Sequence, residues 1–195
     1  KILNFITSKK TKIQKNLLLK MGVEKYISIK THKNNTSLIY FPNKNFYRKF
    51  STKEGGIKKI VSEKNGIKWY LKKLSFKENY FIIKYFNDKK IAFLDTKAIN
   101  GKKIKSWEPL EINFPYIIKA YKHYILNFKN EKKTQIHGDL TLDNMIFKKN
   151  GVFFLDWEFF QSKKYFFGYD LAYLFLSSVC LPVAAGKNIS EKDKF

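Results

Sequence analysis

The segment Ile136-His137-Gly138-Asp139-Leu140-Thr141-Leu142-Asp143-Asn144 sets a histidine, an aspartate and an asparagine at the spacing H-x-D-x-x-x-x-N. The apolar stretch Met145-Ile146-Phe147, a turn at Asn150-Gly151 and a second apolar run, Val152-Phe153-Phe154-Leu155, then lead to Asp156. Residues of these types suit phosphoryl transfer. That reaction needs a carboxylate to orient a hydroxyl nucleophile and accept its proton. It also needs an amide oxygen and a second carboxylate to hold the Mg2+ that bridges the phosphates. A carboxylate and an amide five residues apart converge if the loop between them is irregular, and an aspartate ending an apolar strand can be aimed at the same point.

Three pieces taken together carry a family resemblance: His137-Gly138-Asp139-Leu140 with Asn144, then Leu155-Asp156-Trp157-Glu158, then Tyr169-Asp170-Leu171-Ala172. Their order and spacing resemble the aminoglycoside phosphotransferase and choline kinase superfamily. The resemblance implies an α+β, two-lobed protein-kinase-like fold that uses ATP and Mg2+ to phosphorylate a hydroxyl on a small molecule. It implies Asp139 as catalytic base, Asn144 and Asp156 as Mg2+ ligands, and His137 and Asp170 as braces of the catalytic loop. It covers residues 136–174 closely and the preceding half by pattern only. Asp143, inside the motif, reads as a cap or turn residue. Glu158 reads either as a carboxylate near the metal or as a solvated charge at a strand end. His32 and His123 read as surface residues without a role.

A kinase-like lobe also needs a strand lysine on the nucleotide phosphates and a helix glutamate to hold it. The candidates are Lys49, in Phe46-Tyr47-Arg48-Lys49-Phe50, and Glu63, in the helical stretch that follows. Arg48 is the rival to Lys49 and belongs on the opposite strand face. The stretch 31–37, where a phosphate loop would lie, contains no glycine.

These residues must be positioned by elements that the hydrophobic pattern suggests. Residues 13–21 read as a helix. Residues 26–30, 37–41 and 46–51 read as three strands, with a hairpin turn at 33–35. Apolar residues recur at helical steps over 57–74, although Gly66 argues against one unbroken helix. Residues 80–86 and 91–96 read as a second strand pair, 98–106 as a connector, and a helix is expected to start near Pro115. A strand at 152–155 and an apolar helix from Tyr169 complete the pattern. The nucleotide-binding lobe is thus expected over residues 1–96 and a mainly helical catalytic lobe over 97–195. The chain stops 39 residues after Asp156, so the second lobe is expected to be truncated where family members form their acceptor pocket. Leu171, Leu174, Phe175 and Leu176 would then expose an apolar patch.

Composition bounds the partners. The 195 residues are 44% hydrophobic and 17% aromatic, enough to bury a core. The net charge of +23 suggests nucleic acid, but Arg48 is the only arginine among 39 cations. Base and phosphate recognition leans on arginine's planar fork. A basic nucleic-acid binder or a non-catalytic pseudokinase-like module is therefore the alternative to an enzyme, and codon bias toward lysine is the preferred source of the charge. Cys180 is the single cysteine, which excludes an internal disulfide. The longest charge-free run, 171–186, is too short to span a bilayer and is interrupted by Pro182. A cytoplasmic setting follows as the default.

Overall fold

Runs rich in aromatic and β-branched residues pair as antiparallel strands in the computed structural model, which describes residues 28–31, 36–88, 90–128 and 132–185. Strands β1 (Ser28–Thr31), β2 (Ser37–Phe41), β3 (Phe46–Ser51), β4 (Ile82–Asn87) and β5 (Ala92–Lys97) form one sheet in the order β1-β2-β3-β5-β4. All neighbours in it run antiparallel. Strands β2 and β3 match the sequence expectation residue for residue. The expected helix at 13–21, the turn at 33–35 and His32 lie outside the described residues.

Helix α1 (Glu54–Lys73) joins β3 to β4. Its buried residues Ile60, Ile67, Tyr70 and Leu71 share a core with Ala92 and Leu94 of β5. The helix is unbroken at Gly66, against the sequence expectation. The reason is tertiary: a Cβ at Gly66 would lie 2.7 Å from Cβ of Trp157 and 2.9 Å from Cβ of Phe160. Glycine here lets α1 press against the turn that follows Asp156, and that contact outweighs its weak helix propensity.

Successive side chains on a strand point to opposite faces, so Arg48 and Lys49 separate. Lys49, paired with Leu94, faces α1. Arg48, paired with Asp95, joins the other face, where Ile39, Phe46, Phe50 and Phe93 are buried. There Arg48 Nε and Nη2 donate to the two Asp95 carboxylate oxygens at 2.6 and 2.7 Å, and the guanidinium lies 4.4 Å from the Phe93 ring centroid.

The second half is built around helix α2 (Leu110–Phe128). Strands β7 (Met145–Lys148) and β8 (Gly151–Phe154) form a hairpin, and β6 (Lys133–Ile136) pairs with β9 (Gln161–Phe166). Helix α3 (Tyr169–Phe175) continues through a π-helical turn, Leu176–Cys180, into α4 (Leu181–Ala184). Helix α2 starts at Leu110, not near Pro115. Proline in the second turn costs only one backbone hydrogen bond near the helix start. The buried Asn113 Nδ2 lies 3.1–3.2 Å from the carbonyls of Lys105, Ser106 and Glu108 and shares its two hydrogens among them, which ties the connector to the helix.

Aromatic rings join the two halves. Tyr70 of α1 lies 5.0 Å from Trp157 and 5.2 Å from Phe154, and Trp69 stacks on Phe128 at 5.2 Å. His123 is not a bare surface residue. Its Nε2 lies 3.2 Å from the Tyr70 hydroxyl, and burial lowers its pKa to about 4. Leu171 and Leu174 are buried, whereas Phe175 and Leu176 are nearly half exposed. No helix among the described residues is long and apolar enough to cross a membrane.

Candidate active site

Lys49 meets three carboxylates. Its Nζ lies 2.6 Å from Glu63 Oε2, 2.7 Å from Asp156 Oδ1 and 3.7 Å from Glu158 Oε2. Glu63 comes from α1, and both other carboxylates follow β8, so the ion pairs bridge the five-stranded sheet and the second half. Lys49 and Glu63 are buried. Burial alone would lower the lysine pKa, but the attraction of Glu63 and Asp156 wins, and the ammonium is held above its usual range. Burial lifts the Glu63 carboxyl to about 7 against the pull of Lys49. Glu158 is partly buried and ion-paired rather than a freely solvated strand-end charge, and its Oε1 lies 3.0 Å from Lys59 of α1. Lys59 in turn lies 4.4 Å from the Phe159 ring centroid.

The 137–144 loop is held from several sides. The main-chain N–H groups of His137 and Gly138 donate to Asp170 Oδ2 and Oδ1 at 2.8 and 3.1 Å. Gly138 has φ +83, and a Cβ there would collide with the Phe159 carbonyl oxygen, so both conformation and space call for glycine. His137 is fully buried, and burial lowers its pKa to about 4. A carbonyl only accepts, so His137 Nε2–H donates to Leu155 O at 2.6 Å. That leaves Nδ1 to accept the Asp139 N–H at 3.3 Å, which fixes one neutral tautomer. The Leu155 N–H donates to Asn144 O at 2.8 Å. Two bonds therefore stitch the loop to the residue before Asp156.

Asn144 Nδ2 donates to Asp139 Oδ2 at 3.0 Å and to Asp139 O at 2.9 Å, and Tyr173 Oη donates to Asp139 Oδ1 at 3.1 Å. Burial raises the Asp139 pKa; the bonds from Tyr173 and Asn144 oppose the rise, and the charges of Asp156 and Glu158 add to it. Asp156 has φ 57, in the left-handed region that is rare outside glycine and recurs at functional sites. Asp143 Oδ2 accepts the Ser106 N–H at 3.2 Å and so anchors the connector.

The structure thus brings Lys49, Glu63 and Asp156 together, and Asp139, Asn144, His137 and Asp170 together, with Leu155 between the two groups. It turns Arg48 away to the other sheet face. Sequence reasoning missed Tyr173, although it follows Asp170 by three residues and so shares its helix face. It also missed Lys59, which nothing distinguishes among 38 lysines.

Among the described residues no group of three or more His, Cys, Asp or Glu side chains is arranged to hold a metal ion. Mg2+ on nucleotide phosphates does not need such a cage. It keeps several waters and takes one or two protein carboxylates beside the phosphates. Asn144 donates its amide nitrogen to Asp139, so Oδ1 is the atom of that amide able to bind a cation, and the Asp156 side chain is 40% exposed. Two hard oxygen donors of this kind fit Mg2+.

No family model matches the chain, and no curated protein matches it in sequence. Solved structures do match in shape. Aminoglycoside phosphotransferase APH(3'')-Id from Streptomyces rimosus aligns with a TM-score of 0.53 and 13% identity, over 88% of this chain and 84% of its own. Choline kinase LicA from Streptococcus pneumoniae aligns with a TM-score of 0.42 and 16% identity, over 88% and 75% of the two chains. The first of these shows the fold: the chain has the protein-kinase-like α+β fold of an aminoglycoside phosphotransferase.

Proposed function

We propose that the protein is an ATP- and Mg2+-dependent phosphotransferase acting on a hydroxyl of a small molecule of aminoglycoside, choline, ethanolamine or sugar type. The observation that carries this reading is the joined pair of clusters: Lys49 on Glu63 and Asp156, and Asp139 on Asn144, linked through Leu155. A strand lysine paired with a helix glutamate and a loop aspartate paired with an asparagine are the recurring parts of kinase-type phosphoryl transfer.

Each residue then has a task. Lys49, kept charged, contacts the nucleotide phosphates, and Glu63 holds it there. Asp139 orients the acceptor hydroxyl and takes its proton as the new O–P bond forms and the bond to the departing ADP breaks. Asn144 and Asp156 would hold Mg2+, which when bound would supply positive charge to offset that developing on the phosphates. His137 and Asp170 brace the loop through main-chain bonds. Residues 1–96 form the nucleotide lobe and 97–195 the catalytic lobe, in a cytoplasmic, ATP-rich setting.

The test is Mg·ATP turnover against a panel of small alcohols, with Asp139→Ala and Asp156→Ala beside the wild type. Both variants should lose turnover while keeping a cooperative melt. Unchanged turnover in both sinks the reading.

A further inference from the structure

Tyr173 reaches the Asp139 carboxylate from α3, and the phosphoryl-transfer reading gives it no task. The two carboxylate oxygens are divided. Oδ2 accepts the Asn144 amide at 3.0 Å, and Oδ1 accepts the Tyr173 phenol at 3.1 Å. A phenol O–H donating to a general base sits as an alcohol must sit before it gives up its proton. Each oxygen keeps a second lone pair, so the acceptor hydroxyl that meets Tyr173 is one approaching Oδ1 along the direction the phenol occupies.

The helix that carries Tyr173 is fixed. Leu171 and Leu174 on either side are buried, Asp170 accepts the His137 and Gly138 amides, and the Tyr121 hydroxyl donates to the Leu171 carbonyl at 2.7 Å. The Tyr173 side chain itself is only partly buried. Displacing the phenol thus requires a side-chain rotation and no movement of α3. Tyr169, one turn earlier on the same helix, is half exposed and adds a second aromatic residue to that helix face.

We propose that the Tyr173 hydroxyl holds the acceptor's place on Asp139 Oδ1, so that the acceptor pocket opens at Tyr173 on α3 and an acceptor binds by displacing the phenol. This rests on the phosphoryl-transfer reading. In the resting enzyme the phenol keeps water off the base, which limits wasteful hydrolysis of the nucleotide. An acceptor able to pack against the aromatic rings displaces it, whereas water has nothing to pack with.

The test is Tyr173→Phe, which keeps the ring and removes the donor. Two rates are read: Mg·ATP hydrolysis with water as the sole acceptor, and turnover with whichever alcohol of a choline, ethanolamine and aminoglycoside panel the wild type uses. The expected result is a several-fold rise in hydrolysis and a several-fold lower acceptor KM, with the nucleotide KM unchanged. If Tyr173→Phe fails to melt cooperatively, Tyr173→Met is read in its place, with the same expected direction. Unchanged hydrolysis and acceptor KM reduce Tyr173 to a packing role and overturn the inference. A fall in kcat at unchanged acceptor KM also overturns it, because the phenol would then orient the base. A wild type that consumes no ATP with water or any alcohol fails the phosphoryl-transfer reading itself. An active wild type with a silent Tyr173→Phe fails this inference alone.

Discussion

His137 shows how one side chain acts through its protonation state. Its ring donates from Nε2 and accepts at Nδ1, which only a neutral imidazole can do. Burial lowers its pKa from 6.5 to about 4, so the fold binds the proton less readily than the unfolded chain does. Its stabilising contribution is therefore complete above pH 6.5 and is lost as the pH falls from there toward 4. Denaturant melts of wild type and His137→Gln across this range should converge toward acid, because the variant lacks the titration. A difference that stays constant with pH would remove the neutral tautomer from the account. At Lys49 the matching prediction concerns shape. Lys49→Arg keeps the charge but brings a planar fork into a pocket built around a point ammonium. Nucleotide binding, read as the melting-temperature shift with Mg·ATP, should fall by at least tenfold in affinity.

Helix α1 and strand β3 carry the predictions at the scale of elements. A Cβ at Gly66 meets Trp157, whereas a Cβ at Gly55 in the same helix meets nothing within 4 Å. Gly55→Ala should stabilise by up to about 1 kcal/mol through helix propensity. Gly66→Ala has the same propensity gain but overpacks the contact, which costs about 1–3 kcal/mol and makes the net change destabilising. Chemical denaturation of the two variants separates the effects, and two gains of equal size would dismiss the close contact. On β3, Arg48→Lys breaks a two-point bond to a buried carboxylate and should cost roughly 1–3 kcal/mol in the same measurement.

What the sequence made legible follows from the same physics. Strands β2 and β3 are rich in aromatic and β-branched residues and are bounded by turn residues, so their limits could be read directly. The site was legible because phosphoryl transfer restricts residue type and spacing along one short segment. Strands β6 and β9 were not legible. Four of the six β9 side chains are exposed in succession, so no alternating buried face marks it, and its partner lies about thirty residues upstream. Strand β7 is buried at three consecutive positions and offers no alternation either. Gly66 misled for a different reason: its partner Trp157 is brought to it only by the tertiary fold.

Over the whole molecule, charge and site are separate matters. A net charge of +23 repels itself, and that cost is screened as salt is added. Raising ionic strength from about 10 mM to about 150 mM shortens the screening length from roughly 30 Å to roughly 8 Å. The melting temperature should therefore rise across that range. A fall would mean that net attraction, through the Lys49 and Arg48 ion pairs and others, outweighs the repulsion. The Lys49 cluster is buried and less exposed to screening than the surface lysines, so the Tm shift with Mg·ATP should survive the added salt.

Trp157 gives this molecule an optical signal of its own. It follows Asp156 directly, is almost wholly buried, and its ring lies 4.4 Å from His137 and 5.9 Å from Trp69. The chain has three tryptophans, and Trp107 is nearly half exposed. Emission from the buried indole should therefore lie to the blue of that from Trp107. Any ligand that moves Asp156 or protonates His137 changes the field around that ring, so the occupancy of the site can be followed by intrinsic fluorescence, with no label attached.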